Sequence, residues 1–418
     1  MARHCCIGRP TTQSTRFPSR DLTGVLRRGN SPALWPPSFA TVQRQLDSPV
    51  FHQSQDGVFM TCNAQAVPFR WHRLKWAMAG LATAVVLTAM FPASGRAGEH
   101  PVPESDLWLT YPAKPGPGEG RHIVLIAADQ EYRSEHVMPM LARLLSQHHG
   151  FHCTVLFSLN ADSNVDPTQK IRWEDKQVTH NIPGLEYLEQ ADLLILFSRL
   201  LSLPDEQLRH FETYLDSGKP LIAIRTANHG FIEFNYRKEG KRVRFGEDIL
   251  GGSFRNHHGR WQQDSTRGII VEANRDHPVL RGVKDIWGPS DVYRTYPEEG
   301  HLPEECLPLV EGQPLVGRKP TDAVNTELIP LPVAWVKTWT GNTGKTARVF
   351  HSTMGSAQDF ANEGLRRMTV NAVYWGLRLE DQIDPQSPMP IVGEYNPPDS
   401  GFAYKELKIV PRKPREFR

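Results

Sequence analysis

Four polar clusters in the second half of the chain combine residue types that move protons or grip oxygen atoms. They are Arg225-Thr226-Ala227-Asn228-His229, Asn256-His257-His258, Asp291-Val292-Tyr293-Arg294 and His351-Ser352-Thr353. Imidazoles titrate near neutral pH, so His229 and His257 are candidate proton carriers, with Asp291 orienting them or alternating with them as acid and base. Arg225 offers two parallel donors to a carbonyl or carboxylate. Thr226, Asn228, Asn256, Tyr293, Arg294 and His351 are the further candidate substrate contacts. Tyr293 and Trp261 add flat faces with a polar edge.

Each candidate also has a structural reading. Arg225 can serve as a buried ion-pair partner of Asp291, and His229 can sit at a helix end. Neighbours on an extended segment point opposite ways, so at most one of His257 and His258 faces a cleft, and His257 is preferred. His277, just before Pro278, reads as a turn-stabilising residue. No cofactor is predicted, although a divalent metal held by His229, His257 and His351 with an open position for water is an alternative. Gly251-Gly252 permits close backbone approach but is no phosphate loop, since no Gly-Lys-Ser/Thr follows.

The elements that must position these residues follow from apolar patterning. The runs 122–127, 151–157, 191–197 and 219–224 are continuous enough to be strands buried on both faces. Between them, Val137, Met140, Leu141, Leu144 and Leu145 predict a helix over 133–147. Leu208, Phe211 and Leu215 predict another, capped by Ser202 and stopped by Gly218. Strands alternating with helices imply an α/β fold: a three-layer, doubly wound, mostly parallel sheet. Ligands of such sheets bind at the carboxyl ends of the strands, where the first three clusters are expected, the fourth being again a strand followed by a turn. Further strands are expected at 267–272, 306–310, 332–339 and 346–351, and a last helix over 360–377. Residues 166–183 read as a surface insertion beside the cleft and 231–245 as a charged hairpin.

Composition narrows the classes. The chain has 418 residues, 39% of them hydrophobic and 22% charged, which excludes disorder, a collagen and a polytopic membrane protein. Lys and Arg number 48 against 46 Asp and Glu, a net charge of +2 that provides no basic field for nucleic acid. Five cysteines among 34 prolines and 32 glycines describe a loop-rich protein, not a disulfide scaffold. Residues 1–59 lack apolar period and read as an unstructured upstream segment. Arg70, His72, Arg73 and Lys75 precede an apolar run and Pro92-Ala93-Ser94-Gly95-Arg96-Ala97, so 60–97 reads as a signal peptide cut after Ala97, or alternatively a membrane anchor. Export makes a Cys153–Cys306 disulfide possible, with a buried small hydrophobe at Cys153 and a loop thiol at Cys306 as the preferred reading. An α/β domain is expected over 121–380, and a Pro-rich tail over 381–418 that wraps the surface or is partly disordered.

Several stretches in one order carry a family resemblance: the 191–197 strand, Ser217-Gly218-Lys219-Pro220-Leu221-Ile222, Leu250-Gly251-Gly252 with His257, Asp276-His277-Pro278-Val279-Leu280, Asp291-Val292-Tyr293, and Pro332-Val333-Ala334-Trp335 leading into Ala347-Arg348-Val349-Phe350. Over 121–380 the chain resembles a ThuA-like (trehalose utilisation) domain of the class I glutamine amidotransferase-like superfamily. The resemblance implies the flavodoxin-like fold. Arg225-Thr226 with His257-His258-Gly259 is similar to the exported members common in planctomycetes. Amidotransferases of this fold carry a nucleophilic Cys at the turn where this chain has Arg225, whose guanidinium stays protonated, so thiol acyl transfer is ruled out. The commoner ThuA-like pattern has His at that turn and Asp-Glu before the Tyr; here Asp291-Val292 stands, and His229 is the residue placed to take the imidazole role. The resemblance further implies a small-molecule carbohydrate partner, a sugar or keto-sugar derivative, with a hydrolase, lyase or isomerase activity. The alternative is a non-catalytic carbohydrate-binding or scaffold protein of the same fold.

Overall fold

A strand with apolar side chains at both parities must be covered on both faces. The computed structural model describes residues 102–296 and 301–418, and it shows how this cover is supplied. In chain order the strands are β1 (Trp108–Tyr111), β2 (His122–Ala128), β3 (His152–Phe157), β4 (Leu193–Ser198), β5 (Leu221–Ile224), β6 (Arg237–Lys238), β7 (Lys241–Arg242), β8 (Asn256–His258), β9 (Ser265–Ile270), β10 (Trp287–Gly288), β11 (Val292–Arg294), β12 (Leu307–Leu315), β13 (Leu331–Thr340) and β14 (Thr346–Ser352). The α-helices are α1 (Ser134–His148), α2 (Asp205–Asp216) and α3 (Glu363–Gly376).

Along β2, Ile123, Leu125 and Ala127 enter one core while Val124, Ile126 and Ala128 enter another. The first core is closed by Val137, Met140 and Leu144 of α1 with Leu365, Met368 and Val373 of α3, the second by Leu208, Phe211 and Leu215 of α2. Helices therefore cover both faces, giving the three-layer α/β architecture.

Ten strands form one sheet in the order β1-β3-β2-β4-β5-β14-β13-β12-β9-β10. The expectation of a mostly parallel sheet needs correction. Only β3, β2, β4, β5 and β14 run parallel to one another, and the remaining neighbours pair antiparallel. The reason lies in the connections. No α-helix separates β12, β13 and β14, and strands joined without a crossover must reverse direction.

Smaller differences have local causes. β1, a four-residue edge strand on β3, lies before residue 121, where the domain is expected to begin. Ser202 does not cap α2. The helix starts at Asp205 after Pro204, and Asp205 and Glu206 supply the negative charge its first turn favours. Residues 231–245 do contain a hairpin, β6–β7, and the tail packs on the domain, with Ile383, Met389 and Ser400 buried. The segments 1–59 and 60–97 lie outside the described residues. No helix among the described residues is long and apolar enough to cross a membrane.

Candidate functional site

β5 ends at Ile224 and the chain turns at once. Arg225 has φ +45°, a left-handed conformation that a non-glycine residue rarely adopts and that marks a constrained site. A 3-10 turn then runs from Arg225 to His229. The guanidinium is completely enclosed, with its Cζ 4.0 Å from the ring centre of Tyr132 and 4.2 Å from that of Tyr293. Nη1 donates to the Thr353 carbonyl at 2.7 Å and to the Asp291 carbonyl at 3.3 Å, and Nη2 donates to Asp291 Oδ1 at 3.2 Å. The proposed grip on a substrate carbonyl is therefore corrected: protein acceptors take the terminal donors, and no face of the group meets solvent. Its work is to compensate the buried Asp291 carboxylate.

The second oxygen of Asp291 faces outward to chemistry. Oδ2 lies 2.7 Å from His257 Nδ1. Because a carboxylate accepts and cannot donate, this contact places the ring proton on Nδ1 and leaves the Nε2 lone pair available. The His257 side chain is 31% exposed while that of Asp291 is 2% exposed, so the dyad has an enclosed anchor and an open working end. Arg225, Asp291 and His257 thus form one chain from core to surface.

Strand pairing decides which expected residues join them. β8 and β11 are antiparallel, with His257 opposite Tyr293, Asn256 opposite Arg294 and His258 opposite Val292. Side chains alternate along a strand, so His257 and Tyr293 share one face, and Asn256, His258 and Arg294 point from the other. Asn256 and Arg294 are consequently removed from the candidate set around His257. His258 is held on its own face, bonded through Nε2 to the Ile329 carbonyl at 2.8 Å, with Arg294 Nη2 at 3.3 Å from Nδ1. Tyr293 is 2% exposed beside Arg225 and offers no open face to a ring, contrary to expectation.

His229 does join the cluster. Its ring and that of His257 both pack against Phe254 and Tyr293. Nδ1 lies 2.6 Å from Asn228 Oδ1. Burial, reinforced by Arg199 and Arg225, holds the His229 pKa well below the usual imidazole range, so it is a neutral hydrogen-bonding ring and not a second proton shuttle. Asn228 is buried and orients it. Thr226 Oγ1 donates to Asp129 Oδ2 at 2.6 Å, an internal use of a hydroxyl expected to meet substrate.

His351 is corrected as well. It is fully buried, its Nδ1 bonded to the Ala223 carbonyl at 2.9 Å and its ring edge against Trp335 at 4.8 Å, and burial lowers its pKa to about 4. It does not converge with His229 and His257 into a metal site: among the described residues no group of three or more His, Cys, Asp or Glu side chains is placed to hold a metal ion. His277 accepts from Val279 N at 3.3 Å and stabilises its turn. Gly251 makes room for the protein itself, since a Cβ there would stand 2.3 Å from Cys306 Sγ. Cys153 and Cys306 are free and buried, and burial raises both thiols, that of Cys306 to about 11.

The loop after β2 carries residues the sequence reading passed over. Asp129 accepts from the amides of Glu131, at 2.8 Å, and Tyr132, and thereby folds the loop back toward β5. Tyr132 Oη accepts from Trp261 Nε1 at 3.2 Å. Glu131 is buried, which raises its carboxyl above the ordinary range, and Arg199 opposes that shift from 3.0 Å. The available signal was position: Asp129-Gln130-Glu131-Tyr132 begins where a buried parallel strand ends. A shallow depression opens here, lined by Tyr132, Trp261, Asp291, Arg318 and Ser400 among others.

The site is thus an imidazole–carboxylate pair, His257 on the β8–β11 ribbon, linked through Arg225 to the end of β5 in a three-layer α/β domain. Residues 124–376 match the family described as ThuA, trehalose utilisation, and the chain belongs to this family. Among solved structures it is similar to a ThuA-like protein from Bacteroides uniformis, 16% identical with a TM-score of 0.38, over 63% of this chain and 94% of that one. A ThuA-like protein from Parabacteroides merdae is 14% identical with a TM-score of 0.38, over 71% of this chain and 99% of the other. No curated protein matches.

Proposed function

We propose that this ThuA protein acts on a sugar or keto-sugar derivative by acid/base chemistry, with His257 as the group that moves the proton and Asp291 as the group that holds it in place. The observation that carries the reading is the 2.7 Å contact between His257 Nδ1 and Asp291 Oδ2, which leaves Nε2 at the open end of an otherwise buried dyad. Arg225 is paired with Asp291, so the imidazolium formed after proton abstraction meets a carboxylate already held in position. His229 contributes a neutral hydrogen-bonding ring beside it. The family's description supports carbohydrate as the substrate class. Proton transfer next to a ketone, with elimination or isomerisation as its outcome, is chemistry one imidazole can perform in both directions.

The 60–97 segment is read as an export signal, placing the mature domain outside the cytoplasm.

The test incubates the purified domain, with and without chelator, with disaccharides and their oxidised keto forms, and follows products by mass spectrometry. A new product, lost in His257→Gln, is the expected result. Saccharide binding with no product from any member of the panel would overturn the catalytic assignment and leave a binding protein.

A further inference from the structure

The C-terminal segment lies beyond the family match at residues 124–376, yet it reaches the site. Gly401 N donates to the Glu131 carbonyl at 2.8 Å. Arg133 donates from Nε to the Asp399 carbonyl at 3.1 Å and from Nη2 to the Gly401 carbonyl at 2.6 Å. Gln262 Nε2 donates to the Ser400 carbonyl at 2.6 Å, and Arg318 meets both Asp399 oxygens, at 2.6 and 2.8 Å. Gly401 has φ +109°, a conformation that L side chains rarely adopt, and a Cβ there would displace the Gln262 amide, so the turn favours glycine.

These anchors fix the residue that follows them. Phe402 is 43% exposed. Its ring stands 6.0 Å from that of Trp261 with 35° between the planes, and Arg199 lies over it at 4.9 Å. Trp261 is in turn 6.0 Å from the His257 ring. Phe402 and Trp261 thus present two adjoining rings at the surface beside His257, an arrangement suited to the flat apolar face of a ligand.

We propose that Trp261 and Phe402 form a ring-binding subsite beside His257 that takes the C–H face of a pyranose, so that the C-terminal strap is part of the substrate site. The inference rests on the carbohydrate reading above and adds where the sugar ring lies. It is tested with the full chain, using trehalose and methyl α-D-glucopyranoside as probes, by saturation-transfer NMR and titration. Phe402→Ala should weaken binding of both probes about tenfold, and Phe402→Trp should keep it near the parent value. His257→Gln should bind both probes as the parent does and lose turnover of the keto-sugar substrate. If Phe402→Ala binds as tightly as the parent, the subsite is wrong while the His257 chemistry stands. If the parent itself binds neither probe, the subsite and the carbohydrate reading fall together.

Discussion

Arg225 and Arg199 follow the ends of neighbouring strands, β5 and β4, and their fates differ. Arg225 is enclosed between two tyrosine rings, with Thr353 and Asp291 taking its terminal donors. Arg199 stands nearer the mouth, tethered to Glu131 and covering Phe402. The same contrast separates the whole floor, made of Arg225, Asp291, Thr226 and His351, from the mouth, made of His257, Trp261 and Phe402. In the floor, Arg225 Nη1 and Nη2, Thr226 Oγ1 and His351 Nδ1 bond to protein acceptors, while Arg225 Nε and His351 Nε2 are buried without a partner. At the mouth, the His257 side chain is 31% exposed and Phe402 is 43% exposed. A charged residue at a strand end thus identifies where a site lies without itself being the group that meets the ligand.

The contrast is most easily broken at Arg225. Arg225→Met should cost about 3–5 kcal/mol in urea unfolding, because it leaves the Asp291 carboxylate buried without its counter-charge. Arg225→Lys should recover little of this, since one ammonium cannot reproduce the forked contact to Asp291 and Thr353. A stable Arg225→Met protein that had lost only ligand affinity would place Arg225 at the mouth instead.

Enclosure also predicts a pH response. His351 has its folded pKa lowered to about 4 from 6.5, so the unfolded chain binds the proton more readily. Its contribution to stability is present above pH 6.5 and is lost as pH falls toward 4, by up to about 3 kcal/mol. Glu135, raised by burial to about 7 from 4.5, acts in the opposite sense, losing stability as pH rises through that interval. Unfolding midpoints measured from pH 7 to 4 should therefore fall less steeply for His351→Asn than for the parent. Equal slopes would show that the ring is not enclosed.

Two smaller effects sharpen the comparison. Thr226→Val removes the hydroxyl bonded to Asp129 and should cost about 1 kcal/mol by the same unfolding assay. Phe402→Ala should change stability by less than about 0.5 kcal/mol, because its ring is already largely in solvent. A larger loss at Phe402 than at Thr226 would invert the assignment of floor and mouth.

The three-layer core was legible because doubly buried strands announce themselves as unbroken apolar runs: 122–127, 191–197 and 219–224 all became strands of the parallel half. Strand direction in the other half was not, since periodicity reports which faces are buried and not which way a neighbour runs. At the site, residue type located His257 and Asp291 correctly as neighbours. It misled at Asn256 and Arg294, whose closeness in sequence to His257 and Tyr293 hides the alternation that turns them away. Glu131 and Phe402 were missed for different reasons: Glu131 follows a strand whose end carried no histidine, and Phe402 comes from a distant tail brought in by Arg133, Gln262 and Arg318.

The central claim is that the open nitrogen of His257 exchanges a proton with substrate carbon. Deuterium wash-in, followed by NMR in heavy water on a keto-disaccharide, reads that event even when no net product forms. The account predicts incorporation beside the carbonyl with the parent protein, slowed about 10²- to 10⁴-fold in His257→Gln with unfolding unchanged. Incorporation at equal rates in the two proteins, or none with the parent, would contradict it.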